Sequence, residues 1–235
     1  MNEGKIENVE FNISSKAINN VISVKFLGVH IQSNLKWEIH IQNVSKKLCS
    51  GIFMLKKLKN SVTESVMKIV YYSNIHSHLS YGITVWGSDQ NISKLLILQK
   101  KAIRIICGVN QRTHCKPLFR KLHILTVPSI FILNCLLYIK NNELEFPKNC
   151  SQHNYNTRQK LELQINYFNF TTTKKSFIGI SKKFYNVLPH KIKSLNNKCL
   201  KKTIIDILVE MCPCSKNDFF EFNFGSIYTT SYIDN

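Results

Sequence analysis

Hydrophobic and polar positions alternate at the start of the chain and then settle into a helical rhythm. Val9, Phe11 and Ile13 alternate with polar neighbours, and Asn19-Asn20 is a turn signal. A second apolar run follows over 21–31, so the two runs predict a hairpin in which Gly28 allows close backbone approach. From His40 the period lengthens. Ile41, Val44, Leu48, Ile52, Leu55 and Leu58 recur at three- and four-residue steps and share one helical face. Lys46, Lys47, Lys56, Lys57 and Lys59 fall off that stripe or at its edge.

The same period predicts further helices. One starts at Ser61, where Ser61-x-x-Glu64 has the form of a capping box, and runs towards Tyr81-Gly82. Another spans about 91–107, with Ile92, Leu95, Leu96, Gln99, Ile103 and Ile106 inward and Gly108 as its stop. Pro117 and Pro128 suit first turns, the second behind Thr126 as a cap. The helix from Pro128 to about Asn141 is apolar on most sides, which places it at the centre of the core. Over 142–173 the pattern breaks at Pro147, at 153–158 and at the Thr triplet 171–173, predicting a loop or linker. Helices resume over 174–187, stop near Pro189 and return over 198–211; the tail beyond Cys212 is polar-aromatic and is expected to be poorly ordered. The predicted fold is mainly α: a short N-terminal β-hairpin (1–38), a helical domain (39–141), the linker (142–173), a C-terminal helical segment (174–212) and a tail (213–235).

Composition changes this picture only through charge. At 44% hydrophobic, 11% aromatic and 20% charged, the 235 residues make a globular chain of one large or two small domains. No apolar run approaches the roughly 20 residues of a membrane span, and the longest, 130–139, is broken by Asn134. The first 20 residues, carrying Glu3, Glu7 and Glu10, lack the basic-then-apolar order of a signal peptide, so an intracellular place, nucleus or cytoplasm, is expected, with no membrane partner. Nothing in the sequence sets an oligomeric state. Thirty-two Lys and Arg against 14 Asp and Glu give a net charge of +18. An excess of that size points to a polyanion, nucleic acid first. Abundant Lys, Ile and Asn also fit an AT-rich coding bias, but that bias would raise Glu as well, and Glu is scarce.

The charge is segregated. No acidic residue lies between Asp89 and Glu143, where Lys94, Lys100, Lys101, Arg104, Arg112, Lys116, Arg120, Lys121 and Lys140 all fall. None lies between Glu162 and Asp206 either, against nine lysines from Lys174 to Lys202. Ordinary solvated helix faces mix signs. The sharpest local case is Lys100, Lys101 and Arg104, pushed outward by inward Ala102, Ile103 and Ile106, and these are the expected phosphate contacts, supported by Arg112, Lys116 and Arg120. Tyr71, Tyr72, Tyr81 and Trp86 have the chemistry to stack bases, although their helical spacing favours core packing.

Catalytic patterns are missing from the sequence. Two-metal phosphoryl chemistry needs clustered carboxylates, and no Asp-Asp, Asp-x-Asp, phosphate loop, nucleophile elbow or zinc-protease motif occurs. His76 and His78 are two apart, on different sides of a helix. The eight cysteines include no CxxC pair and are expected to be reduced and mostly buried, as on the helical faces at Cys49 and Cys135. Neither Cys107, His114 and Cys115 nor Cys212 and Cys214 supplies two close ligand pairs, so no zinc is expected. The chain is read as having no active site, metal or cofactor of its own.

An ordered series of motifs adds what spacing cannot. Lys25-Phe26-Leu27-Gly28-Val29, then Leu35-Lys36-Trp37 and His40-Ile41, resembles the region just after the catalytic palm of reverse transcriptases of non-LTR (LINE-type, jockey-like) retrotransposons. Tyr71-Tyr72, Ser77-His78-Leu79-Ser80-Tyr81-Gly82 with Trp86-Gly87, Leu98-Gln99-Lys100-Lys101-Ala102-Ile103-Arg104, and the run 153–158 are similar to that family's C-terminal half, as is 179–193. The resemblance covers about 20–212. It implies that 1–38 is a remnant of the palm and primer-grip region, with Phe26, Leu27 and Gly28 as a primer-grip-like hairpin, and that 39–141 is thumb-like. The family's catalytic Asp pair and its Mg²⁺ would lie upstream of these residues, in an RNA-directed DNA polymerase palm this sequence lacks. The expected function is therefore a truncated, non-catalytic segment holding template-primer nucleic acid, RNA or an RNA–DNA hybrid. An all-helical protein-interaction module, or a genomic remnant with no nucleic-acid role, is the alternative.

Overall fold

The computed structural model describes residues 11–13, 16–18, 21–151, 155, 157–165 and 176–224. It is mainly helical, as the periodicity predicts, with short antiparallel β-hairpin structure ahead of a multi-helix bundle. Val9, the Asn19-Asn20 signal, His153, Asn154 and Asn156 of the 153–158 run, the Thr triplet and the last eleven residues lie outside the described residues.

The strands pair differently from the expectation. Strands β1 (Phe11–Ile13) and β2 (Lys16–Ile18) form one hairpin; β3 (Ser23–Phe26) and β4 (Val29–Gln32) form another. The run 21–31 is thus two strands folded on Leu27-Gly28, both at positive φ (45° and 81°), rather than one strand pairing with residues 9–13. Positive φ at both central residues is the signature of the tight turn whose twist matches a hairpin, and glycine meets it at no steric cost.

The bundle follows: α1 (Glu38–Leu58), α2 (Glu64–Tyr71), a π-helical turn (Tyr72–His76), α3 (Ser77–Ser80), α4 (Ile83–Trp86), α5 (Ile92–Ile106), α6 (Lys116–Leu122) and α7 (Val127–Asn141). After 3-10 turns at Glu143–Glu145 and Asn149–Ser151 come α8 (Phe177–Val187), α9 (His190–Lys193), α10 (Asn197–Met211) and α11 (Asp218–Glu221). The α1 stripe Ile41, Val44, Leu48, Ile52 and Leu55 is buried against α5, and Gly51 lets the π-turn press in, since a Cβ there would meet Ile75 at 2.8 Å. Helix α2 begins at Glu64 with extended Thr63 before it. The Ser61-x-x-Glu64 box does not form, because Thr63 and not Ser61 holds the N-cap position, and Glu64 in the first turn reaches across to Lys121 at 2.8 Å. Thr126 does cap α7, accepting from the Ser129 N–H.

Helix α7 is the hub. Val127, Ile130, Phe131, Ile132, Cys135, Leu136 and Ile139 are almost fully buried, and α4, α5, α8 and α10 pack around it. One core therefore runs through both sides of the predicted linker, with Phe184, Leu200, Ile204 and Leu208 in the same cluster as Leu48 and Leu95. Within 142–165, Leu163 is buried and its backbone N–H and C=O are both bonded to the Asn186 amide, at 2.9 Å each. The tail also departs from expectation: its first dozen residues fold back, burying Phe219 and Phe224 against one another and Phe219 against Phe184. Aromatic edge-to-face packing supplies there what helical periodicity does not announce.

Candidate nucleic-acid interface

Helix α5 sorts its side chains as its period demands. Leu95, Leu96, Gln99, Ala102, Ile103 and Ile106 are buried, which leaves Lys101 exposed and Lys100 and Arg104 half-buried on the outer arc. Gly108, at φ 67°, ends the helix and sends the chain into the loop that carries Arg112. Arg104 fixes that loop, its Nε donating to the Thr113 carbonyl at 2.8 Å. Lys116 opens α6, and the tail after α10 lies over both, bringing Cys214 Sγ within 3.5 Å of Lys100 Nζ.

These elements enclose an open cavity of about 470 Å³, with Lys100, Arg104, Arg112 and Lys116 on its wall, apolar Phe119 and Phe222 beside them, and Asp218 and Glu221 among the other lining residues. Four of the six predicted phosphate contacts thus come together from a helix, a loop and a second helix. The side chains of Arg112 and Lys116 have no hydrogen-bond or ion-pair partner among the described residues. The other two stand elsewhere. Lys101 follows Lys100 by about 100° of helical rotation and stays off the cavity wall. Arg120 is already engaged: its guanidinium donates to the backbone carbonyl of Glu210 and pairs with that residue's carboxylate at 2.8 Å, clamping α6 to the end of α10.

Two of the thiols that line the cavity, Cys115 and Cys212, are held in the protonated form. Burial pushes Cys115 up. Burial and Cys214 raise Cys212 to about 11, against the pull of Lys116, Arg120 and Lys100. Asp218 is the reverse case: burial opposes its charge, but the Ser215 hydroxyl and the Cys214 and Ser215 N–H groups donate to it and hold it below the usual carboxylate range. It is occupied in holding the tail. Among the described residues, no group of three or more His, Cys, Asp or Glu side chains converges as a metal site would require. Of the eight cysteines, Cys115, Cys135 and Cys212 are buried, while Cys49, Cys199 and Cys214 are exposed. The expectation for Cys49 is therefore corrected: it follows Leu48 around the helix, past the buried stripe.

The tail residues Cys214, Asp218 and Phe222 are not among the predicted contacts, because 213–222 has no helical period that would place them at this cavity. One local signal marks the segment. Ser215-x-x-Asp218 is a reciprocal capping pair, with Ser215 Oγ accepting from the Asp218 N–H and Asp218 accepting from the Ser215 N–H.

The primer-grip-like residues sit at the tip of the β3–β4 hairpin. Phe26 and Leu27 are 60% and 74% exposed, and a Cβ on Gly28 would touch the Tyr81 ring at 3.4 Å. The aromatics singled out for stacking divide: Tyr71 and Trp86 are fully buried, whereas Tyr72 and Tyr81 reach solvent. The second acid-free stretch divides as well. Lys182 donates to the Gln164 carbonyl and Lys193 to the Asn186 carbonyl, both at 3.0 Å, so these two serve the fold. Lys198, Lys201 and Lys202 on α10 remain exposed.

Comparison with protein-family models, with curated proteins and with solved structures finds no match.

Proposed function

We propose that this chain is a non-catalytic, reverse-transcriptase-derived segment that holds template-primer nucleic acid, an RNA or an RNA–DNA hybrid, through the cationic face of α5, the 107–115 loop and α6. The observation that carries the reading is the convergence of Lys100, Arg104, Arg112 and Lys116 on one open cavity, the side chains of Arg112 and Lys116 having no partner among the described residues. Such cations bind the phosphate backbone by releasing counterions, which gives affinity without reading sequence. The reading assigns no nucleotidyl transfer to these residues, because nothing in the motif series supplies the paired aspartates.

The test is titration of a fluorescent RNA–DNA hybrid at several salt concentrations. Affinity is expected to fall with a log–log slope of several units. A flat salt response, or no binding at low salt, overturns the reading, and Mg²⁺-dependent primer extension by the chain alone overturns its non-catalytic part.

A second reading, a protein-interaction module, draws on one observation: Ile22, Phe26 and Leu27 on the hairpin are 79%, 60% and 74% exposed. It expects Lys100, Lys101 and Arg104 changed together to Gln to leave function intact.

A further inference from the structure

A second cavity, of about 680 Å³, opens along the first half of α10 and is lined by Tyr72 and His76 from the π-turn, Leu125 and Leu133, and α10 residues including Lys198, Lys201 and Lys202. We infer that it is a stacking subsite for an unpaired nucleotide, with Tyr72 as the plate for the base and these three lysines as ligands for its flanking phosphates. The inference rests on the nucleic-acid reading above but uses a different surface.

Three features converge on that ligand. The lysines stand at i, i+3 and i+4, which puts their ammonium groups on one strip of helix surface. None of the three has a hydrogen-bond or ion-pair partner among the described residues. Asp206, the carboxylate lining this cavity, faces the His123 Nε2 at 3.6 Å. Tyr72 is 40% exposed, yet its ring is held in place by edge contacts to Tyr71 at 5.5 Å and His76 at 5.0 Å. Burial keeps the rings of Tyr72 and His76 neutral, the phenol by raising its pKa and the His76 imidazole by lowering it. An acidic peptide would engage the lysines alone; a fixed aromatic plate beside three free cations suits a base with phosphates on either side.

The π-helical turn is the structural device. Widening the helix at Tyr72–His76 re-aims the side chains that follow Tyr71, and such widened turns recur at functional sites. Tyr71 stays in the core while Tyr72 reaches the groove. From Lys201 to Met211, where the first cavity lies, α10 rises about 15 Å, a span that a few stacked nucleotides cover.

The test uses the whole chain and a 12-nucleotide oligo-dT carrying one 2-aminopurine, whose fluorescence falls when the base stacks. Binding is expected to quench it. Tyr72→Leu should abolish the quenching and weaken single-strand binding about tenfold, while leaving hybrid affinity unchanged. Tyr72→Trp should restore the quenching. Changing Lys198, Lys201 and Lys202 to Gln should flatten the single-strand salt slope by about two units, and these exposed positions read the same site if the leucine variant fails to fold. Steep, salt-dependent hybrid binding with an unquenched probe, or quenching indifferent to Tyr72 and to the lysines, overturns this inference alone. Tyr72-dependent quenching with hybrid binding indifferent to Lys100, Arg112 and Lys116 supports it and overturns the earlier assignment of the α5–α6 face.

Discussion

The phenolic hydroxyl of Tyr81 donates a 2.6 Å hydrogen bond to the carbonyl oxygen of Leu27 and so moors the hairpin's turn to the helical body. The hairpin has few other fastenings, among them the bond from the His30 N–H to His40 Nδ1 at 3.3 Å and that from the Ile39 N–H to the Gln32 amide oxygen at 2.9 Å. Replacing Tyr81 with Phe should cost about 0.5–1.5 kcal/mol. Hydrogen exchange is the direct check: amides across Ser23–Gln32 should exchange faster while those of α5 and α7 keep their protection. Uniform loss of protection would mean that the hairpin is not a separable unit.

Leu27 occupies the left-handed region, φ 45°, where a branched side chain costs about 1–2 kcal/mol relative to an ordinary conformation. Its side chain is 74% exposed, so little packing is lost on replacement. Leu27→Asn, which gives the residue pair preferred in this turn, should raise stability by about 0.5–1 kcal/mol, or Tm by a few degrees. If the exposed leucine also touches nucleic acid, as the primer-grip-like assignment proposes, the same variant binds the hybrid more weakly.

Gln99 is fully buried in α5 and satisfied on both sides. Its Nε2 donates to the Tyr71 hydroxyl and the Leu125 carbonyl, each at 2.8 Å, and its Oε1 accepts from the Val127 N–H at 2.9 Å. Leucine fits the volume but strands three polar groups. Gln99→Leu should therefore destabilise by about 2–4 kcal/mol despite its greater hydrophobicity, measured as a lowered urea midpoint at unchanged m. Gln99→Ala, which also leaves a cavity, should cost more.

The helices with clean periods were legible before any coordinates. The inward residues named for α5 are buried or packed against the core, and the apolar α7 is the hub, because burial on a helix follows a period the sequence displays. Pairing and folding-back are not periodic. The β3–β4 turn hides inside a mainly apolar run because a leucine stands where Asn or Gly would announce φ > 0. Nor does alternation in 9–13 reveal that Phe11–Ile13 pairs with Lys16–Ile18 rather than with 21–31. At the candidate site, the cations of α5, the loop and α6 were nameable from an acid-free stretch. Whether each is free or spent depends on contacts ninety residues away, as for Arg120 and Glu210.

Acid should loosen the junction of hairpin and α1. His40 is 4% exposed, with its ring 5.4 Å from that of Trp86, and its pKa is lowered to about 4, first by burial and then by His30 and Lys47. The imidazole of the unfolded chain, near its ordinary value of 6.5, takes up a proton that the folded chain refuses. Stability is thus full above about pH 6.5 and declines as pH falls towards 4, by about 2–3 kcal/mol. Urea midpoints at pH 7 and 4.5 measure it. His40→Gln should shrink the difference, and an undiminished pH dependence would assign the effect to His76 and His78, whose values burial lowers too.

Arg112 and Arg120 are eight residues apart and equal in charge, so composition alone predicts that each contributes equally to binding a polyanion. Their surroundings predict the opposite. Arg120 is engaged by the Glu210 carbonyl and carboxylate, with its side chain 39% exposed, whereas Arg112 lines the cavity with its guanidinium unpartnered among the described residues. Arg112→Gln should weaken hybrid binding, reduce the salt slope by nearly one unit and leave the melting temperature unchanged. Arg120→Gln should do the reverse, lowering stability by about 1 kcal/mol, since the pair is partly exposed, with little change in slope. Equal slopes for the two variants would show that charge acts by its total and not by its placement, and the α5–α6 cavity would then have no special claim on the ligand.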